Sequence, residues 1–543
     1  DGIRDRDVTG VQTCALPIFP VLTPTNGATA SFTVTFGEIV TGGSASSFSL
    51  TTSGITGASV TGVTGSGATR TVTVNTGTGD GTIRLDLTTV TGIADAAGNA
   101  LVTTYSSGTE ATIEKTAPVG GTVSISASAS TMLVSGTTIY VGTPAASATF
   151  AVTYTDITET GSGVSSVTCA TVAGFTPVAS GTGTTRTCTY TASGTGYDAA
   201  GTSTTRTSTA TDVAGNTGNL ATFTTIRDAT APTTTFTTPS STVHQSTTDY
   251  TVAWTEADAG SGVASRSLQR QVATYTASSQ TCGTFANDGA ADTSASPVSV
   301  TGLVAGYCYR WVQTLTDTVG NSGPTTSGTV VVDATAPTVT SIAPVSASTN
   351  AASASFTITF SEPVTGVTTA NLSLTTTGVT GDSLTSATAG AGTTWTVVVN
   401  TGTGDGTIRV DLASVTGITD AAGNELAATF SAGTAVTVDK SVPTVSSFTT
   451  AVSSPTNSTS IAYTLTFSES VSGIAAGDFT NAGTATGCTF TPSAASGSSI
   501  TVTVTTCSTT GTLQPRLAAN GVRSEEHTSE LQSHHDLVCR LLL

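Results

Sequence analysis

The sequence predicts an all-β chain built from tandem two-sheet sandwiches in an elongated array, and three observations predict it. First, β-branched and aromatic residues alternate with small or polar ones in ASFTVTF (30–36), ATFAVTY (148–154), DYTVAW (249–254), SFTITF (355–360) and IAYTLTF (461–467). A period of two marks strands that bury one face. Second, EKTAP, DATAP, DATAP and DKSVP end at Pro118, Pro232, Pro337 and Pro443, so a proline joint recurs after 114, 105 and 106 residues. Third, residues 74–99 (VNTGTGDGTIRLDLTTVTGIADAAGN) and 399–424 (VNTGTGDGTIRVDLASVTGITDAAGN) differ at four positions across a separation of 325 residues. Such a separation fits three units of about a hundred residues, and four joints make five units.

The two ends read as something else. Residues 8–18 (VTGVQTCALPI) resemble the translation of a common short-read sequencing adapter, with DGIRD before them as primer. Residues 523–533 (RSEEHTSELQS) resemble the opposite strand of that adapter, continued by LVCRLLL (537–543). On this reading 1–18 and 523–543 are artefact and the gene fragment is cut on both sides. Any signal peptide, anchor or catalytic domain is then expected beyond the cuts. The units between are expected at 19–117, 118–231, 232–336, 337–442 and, truncated, 443–522.

The full chain has 34 acidic and 16 basic residues, a net charge of −18. Without the ends the body stands at about −15, with Lys115 and Lys440 its only lysines. Phosphate neutralisation needs clustered Lys and Arg, so nucleic acid is excluded as a partner. No apolar run is long enough to span a bilayer.

Within the units, later strands read TRTVTVN (69–75), TTWTVVVN (393–400) and SITVTVT (499–505), separated by Gly, Asn and Asp clusters that supply turns. In TGTGDGT (76–82), Gly77, Gly79 and Gly81 mimic a phosphate loop. No Lys or helix follows, and Asp80-Gly81 between strand patterns predicts a hairpin. Helical periodicity is hard to find anywhere.

Six cysteines remain once Cys14 and Cys539 are set aside: Cys169 with Cys188, Cys282 with Cys308, and Cys488 with Cys507, each pair within one unit. The segregation suggests disulfides, each worth about 3 kcal/mol in the loop-entropy model, and an oxidising compartment. Buried free thiols in a cytosolic chain are the alternative. No spacing suggests zinc.

These residues carry a family resemblance. The strand end FSEPVTG (360–366), its counterpart FGEIVTG (36–42), the DAAGN turns and the closing D-x-T-A-P resemble the bacterial Ig-like domains found in tandem on large surface proteins and adhesins. The likeness covers units one, four and five. Unit two, with TSTATDVAGN (207–216), resembles a divergent member. Unit three, with Trp254 early and YCYRWVQTLTDTVGN (307–321) late, is similar to a fibronectin type III module. The resemblance implies Ig-like and fibronectin type III-like sandwiches in an extracellular rod. It implies a non-catalytic spacer of a secreted or surface-displayed protein, an adhesin stalk whose protein or glycan ligand binds elsewhere. The alternatives are the accessory stalk of a secreted polymer-degrading enzyme and a module that itself binds glycan or protein.

The acidic residues carry the chemistry. Two positions after the last aromatic of the early strand stand Glu38, Asp156, Glu256, Glu362 and Glu469. The turn before the last strand supplies Asp95, Asp212, Asp317 and Asp420, and the joints supply Glu114, Asp228, Asp333 and Asp439. In a seven-stranded sandwich the B–C and F–G loops share the pole that receives the preceding unit. Three carboxylates should meet there, where structural Ca²⁺, which takes six to eight oxygens, would relieve their repulsion. The expected sets are Asp333, Glu362 and Asp420; Asp228, Glu256 and Asp317; and Glu114, Asp156 and Asp212. Taken singly, D-x-x-G-N also suits a tight turn, and Asp before Thr-Ala-Pro a linker cap.

No catalytic set emerges. His244 is the only histidine of the body and lies in a Ser/Thr-rich segment where a solvated residue is expected. Trp254, Trp311 and Trp395 could form a sugar-stacking platform, but such residues more often fill a sandwich core.

Overall fold

The computed structural model describes residues 18–20, 24–518, 523–524 and 541–542. The ends assigned to adapter, with Cys14, His527, His534, His535 and Cys539, lie outside the described residues, apart from Ile18 and the two dipeptides. Among the described residues the regular elements are strands and four single 3-10 turns. Apolar clusters lie within 18–113, 132–223, 236–332, 342–438 and 448–513.

The group around residue 400 illustrates how the sequence builds a sandwich. In Ser353–Phe360 the alternate residues Ala354, Phe356, Ile358 and Phe360 are buried, as period two dictates. This strand lies between Val339–Pro344 and Thr394–Asn400, which in turn pairs with Ser383–Ala389, all antiparallel. The facing sheet runs Ser348–Thr349, Val436–Val438, Gly406–Leu412, Leu372–Thr377, and its first pair is parallel. Phe356, Ile358, Val397 and Val399 meet Ile408, Val410, Val436 and Val438 between the sheets. Each such side chain contributes about 1.5–3 kcal/mol by leaving water.

The same arrangement recurs around residue 75. There Ile18–Pro20, Thr29–Thr35, Thr69–Asn75 and Ser59–Thr64 face Phe48–Ser53, Gly81–Leu87 and Ala111–Ile113. Ile18, the last residue of the segment read as adapter, pairs with Val34 and is buried.

Three local expectations meet the structure differently. TGTGDGT is not a hairpin: Thr69–Asn75 and Gly81–Leu87 belong to opposite sheets, and the segment crosses between them. The Asp-Gly signal is local, whereas sheet membership is decided by the core. Glycine is needed because Gly77 has φ +63° and a Cβ on Gly81 would lie 1.8 Å from the Ser53 carbonyl oxygen. His244 is half-buried rather than solvated, because Val243–Gln245 forms a short strand parallel to Val330–Val332. Its ring packs 6.0 Å from that of Tyr275. The tryptophans are core residues, as their usual role suggests. Trp254 and Trp311 are buried, and Trp395 packs partly buried against its cluster.

Disulfides join Cys169 to Cys188, Cys282 to Cys308, and Cys488 to Cys507. Each lies in or against one apolar cluster.

Replacing the fully buried Phe356 by Ala is expected to cost about 3–5 kcal/mol in one unit. Calorimetry of the full chain should show one transition lowered and the others unmoved. A uniform shift of all transitions would contradict independent cores.

Candidate metal centres at the joints

Each joint is organised around the acid that follows the last strand. The main-chain N–H of Glu114, Asp228, Asp333 and Asp439 donates backward, to the carbonyls of Thr25, Val141, Gln245 and Thr349 at 3.0–3.1 Å, with Gln245 at 2.9 Å. The carbonyls of Glu114, Asp228 and Asp333 accept forward, from the side-chain amides of Asn216, Asn321 and Asn424 at 2.9, 3.1 and 2.8 Å. These asparagines close the D-x-x-G-N turns. In each turn the Asn main-chain N–H donates to Asp Oδ1 and its amide to Asp Oδ2, all at 2.7–2.8 Å, for Asp212, Asp317 and Asp420. Glycine between them takes φ from +86° to +95°. The turn thus fixes a carboxylate and ties the preceding unit to it.

The carboxylates converge as well. Asp333, Glu362 and Asp420 have ligand oxygens within 4.8 Å of one another, and all three are buried. Two further groups meet the same distance: Glu114, Glu159 and Asp212, and Asp228, Asp258 and Asp317.

Only the first group coincides with the set expected from sequence. Asp156 and Glu256 are not in the other two, and the reason is strand length. The strand with Phe360 ends there, so Glu362 falls in the following loop. Thr149–Thr158 and Tyr250–Ala257 run on, so acids two residues past Tyr154 and Trp254 stay on the strands. Asp156 is exposed at φ +59°. Glu256 accepts from Trp254 Nε1 at 2.8 Å and pairs with Arg266 at 2.7 Å. The first acid beyond each strand, Glu159 or Asp258, takes the place at the joint. A sequence signal exists for it: Glu159-Thr-Gly-Ser-Gly-Val and Asp258-Ala-Gly-Ser-Gly-Val. In these motifs Gly161 N–H donates to Glu159 Oε1 at 2.7 Å and Gly260 N–H to Asp258 Oδ2 at 3.0 Å. The following Ser162 and Ser261 N–H groups donate to Glu114 and Asp228 at 2.9 and 2.7 Å. A Cβ on Gly161 or Gly260 would collide with Glu114 or Asp228, at 1.8 and 2.3 Å.

The groups differ electrically. Burial pushes the Asp228 carboxyl up, but hydrogen bonds from Ser261 and Thr230 hold it below the usual range. Burial and the neighbouring Glu114 and Asp212 raise Glu159. Glu362, 3% exposed, receives no N–H or O–H donor from the described residues other than the neighbouring acid. Burial first, then Asp333 and Asp420, push its carboxyl up to about 7. Burial and the same three acids raise the Tyr275 phenol to about 12, which places their field at the upstream unit.

A separate clasp holds two joints from the upstream side. Asp80 accepts from Lys115 N–H at 2.5 Å and from the Thr116 hydroxyl, while Lys115 Nζ donates to the carbonyls of Asn26 and Gly27, both at 2.7 Å. Asp405 and Lys440 repeat it, with Ser441, Asn350 and Ala351 as partners. Hydrogen bonds from Thr116 and Lys115 hold Asp80 below the usual carboxylate range. The copy at 399–424 therefore touches the linkers on both sides, through Asp405 and through the Asp420–Asn424 turn, whereas the copy at 74–99 touches the linker after it through Asp80.

The sequence of residues 333–437 matches the family described as Bacterial Ig-like domain. This stretch is similar to a bacterial Ig-like domain. The match begins at the joint acid Asp333 and takes in Glu362 and Asp420, so the whole acidic group falls within the matched residues. No curated protein matches the chain. Among solved structures, the Escherichia coli adhesin FdeC is 14% identical, over 80% of this chain and 100% of that one, at a TM-score of 0.20. A 1.5-MDa bacterial ice-binding adhesin is 17% identical, over 59% and 98%, at 0.24. Extracellular cadherin domains 1–5 of protocadherin gamma B2 are 12% identical, over 91% and 93%, at 0.23.

Two outcomes test the joints. Gly260→Ala should displace Asp228 and cost about 1–3 kcal/mol, with faster hydrogen exchange at the Ser261 N–H. Unchanged exchange there would contradict the close approach. In metal-free buffer the folded chain holds the Glu362 proton up to about 7, against a usual value of 4.5. The folded state therefore binds more protons than the unfolded state within this window. Stability of the fourth unit should fall as pH rises from 4.5 to about 7 and then level off. Glu362→Gln should remove that slope in thermal melts.

Proposed function

We propose that this chain is the non-catalytic spacer region of a secreted or cell-surface bacterial protein, an adhesin stalk whose joints are stiffened by Ca²⁺. The observation that carries the reading is the group Asp333, Glu362 and Asp420, one linker acid and two loop acids of the next unit drawn into a buried cluster. Repelling carboxylates in a low-dielectric site are costly, and a hard divalent cation offsets that cost. The all-oxygen donor set suits Ca²⁺ over zinc or copper. Glu362, raised and without another donor, is the group a cation would relieve most. At the other joints the ligand sets are Asp228, Asp258 and Asp317, where Asp258 Oδ1 is buried without a hydrogen-bond partner, and Glu114, Glu159 and Asp212.

The bacterial Ig-like match and the three disulfides support an oxidising, extracellular setting. Repetition of the same acids at successive joints supports architecture over catalysis, since an active site is needed once. Adhesion to a protein or glycan is assigned to regions outside this chain.

Calorimetric titration of the full chain at neutral pH should find calcium sites with Kd of about 0.1–1 mM. The triple change Asp333→Asn, Glu362→Gln and Asp420→Asn should remove one of them. A chelator should increase flexibility in small-angle scattering while circular dichroism stays constant. Equal binding by wild type and variant, or none at millimolar calcium, refutes the metal reading.

A further inference from the structure

Tyr275 lies at the end of the long strand Val263–Thr276 of unit three, and three links tie it to the segment that leads into Asp333. Its main-chain N–H donates to the Gly306 carbonyl at 2.9 Å, and the Gly306 N–H donates to the carbonyl of Val332, the residue before Asp333, at 2.8 Å. Cys282 stands opposite Tyr275 in the sheet and is bonded to Cys308, which stands opposite Val331. The Tyr275 ring meets that of His244 edge to face at 6.0 Å. His244 in turn pairs with Val331, and the carbonyl of the neighbouring Gln245 accepts the Asp333 N–H at 2.9 Å.

The phenol therefore stands on the upstream side of the joint, beside the strand that ends in the linker acid. Asp333, Glu362 and Asp420 all act on it, and with its proton held at neutral pH the oxygen can both donate and accept. Among the described residues that oxygen has no hydrogen-bond partner. Tyr197, the phenol beside the preceding joint, differs. Arg227 lies over its ring at 5.1 Å, and its hydroxyl donates to the Pro144 carbonyl at 3.0 Å. The polar group of Tyr197 is used within its own unit, whereas that of Tyr275 is left in the field of three acids of the joint.

Ca²⁺ takes about six to eight oxygens, more than three carboxylates supply through one oxygen each, so water completes such a shell. Groups that bond to the ligands of a metal fix their orientation and so add to affinity. We propose, resting on the calcium reading of this joint, that Tyr275 is a positioning residue of the Asp333, Glu362 and Asp420 site, its phenol oxygen accepting a hydrogen bond from a water held by the cation. Unit three then grips the site by a side chain as well as by the linker acid. The Cys282–Cys308 disulfide and His244 act behind it, by holding the ring in place.

The test uses the full chain. Calorimetric titration with Ca²⁺ should show that Tyr275→Phe, which keeps the ring against His244 and removes only the oxygen, weakens one site about three- to tenfold. That site should be the one the triple change Asp333→Asn, Glu362→Gln and Asp420→Asn removes. Tyr197→Phe should leave every site unchanged, and the metal-free thermal melt of Tyr275→Phe should match wild type. Tb³⁺, an oxygen-seeking stand-in for Ca²⁺ whose emission is sensitised by nearby aromatic rings, reports proximity: its sensitised emission should fall in Tyr275→Leu. Equal calcium affinity of wild type and Tyr275→Phe, or undiminished emission in Tyr275→Leu, overturns this role and leaves the calcium reading standing. A lowered metal-free melt of Tyr275→Phe assigns the oxygen to folding and overturns it as well. A triple change that removes no site overturns both.

Discussion

The joint rests on one residue whose three polar groups face three ways. The linker acid gives its N–H to the unit behind, its carbonyl to an asparagine of the unit ahead, and its carboxylate to a buried acidic group. Backbone bonds at both sides of one residue leave little freedom for the chain to swing, because breaking either strands a buried donor or acceptor. At the joints of Glu114, Asp228 and Asp333 the position of the next sandwich therefore depends on a carboxylate being tolerated where it is buried. At the second and third units the G-S-G segment supplies main-chain donors to the linker carboxylates, although the loop acid Glu159 is still raised by burial and its acidic neighbours. At the fourth, Pro363 follows Glu362 directly, a residue with no N–H to give. There burial and the two neighbouring acids push the Glu362 carboxyl up to about 7.

What was legible in the sequence follows from what is local. Period-two alternation places Phe356 and Ile358 inward without knowledge of the partner sheet, so strands and sandwiches could be read. Cysteine pairs could be read because each closes within one unit. The loop acids could be read only in part, since their place depends on where a strand stops. Counting two residues from the last aromatic works for Phe360 and fails for Tyr154 and Trp254, whose strands extend three or four residues further. The G-S-G motif was present at both sites, but its meaning lies in main-chain donors aimed at an acid about fifty residues upstream for Glu114, and thirty-three for Asp228. The crossing at TGTGDGT was illegible for the same reason: a local Asp-Gly pair cannot say to which sheet the next strand belongs.

Asp95 separates the two roles of the turn aspartates. It forms the same turn as its counterparts, accepting from Asn99 N–H at 2.8 Å and the Asn99 amide at 2.7 Å, with Gly98 at φ +88°. Hydrogen bonds from Asn99 hold its carboxyl below the usual range. Yet it belongs to none of the acidic groups found among the described residues. The turn thus forms without a linker acid beside it, and its geometry is settled within the unit. At the later joints the aspartate is already oriented by its asparagine before the neighbouring unit is considered. What the joint adds is the approach of two more carboxylates, and the cost of that approach is the quantity a cation would offset.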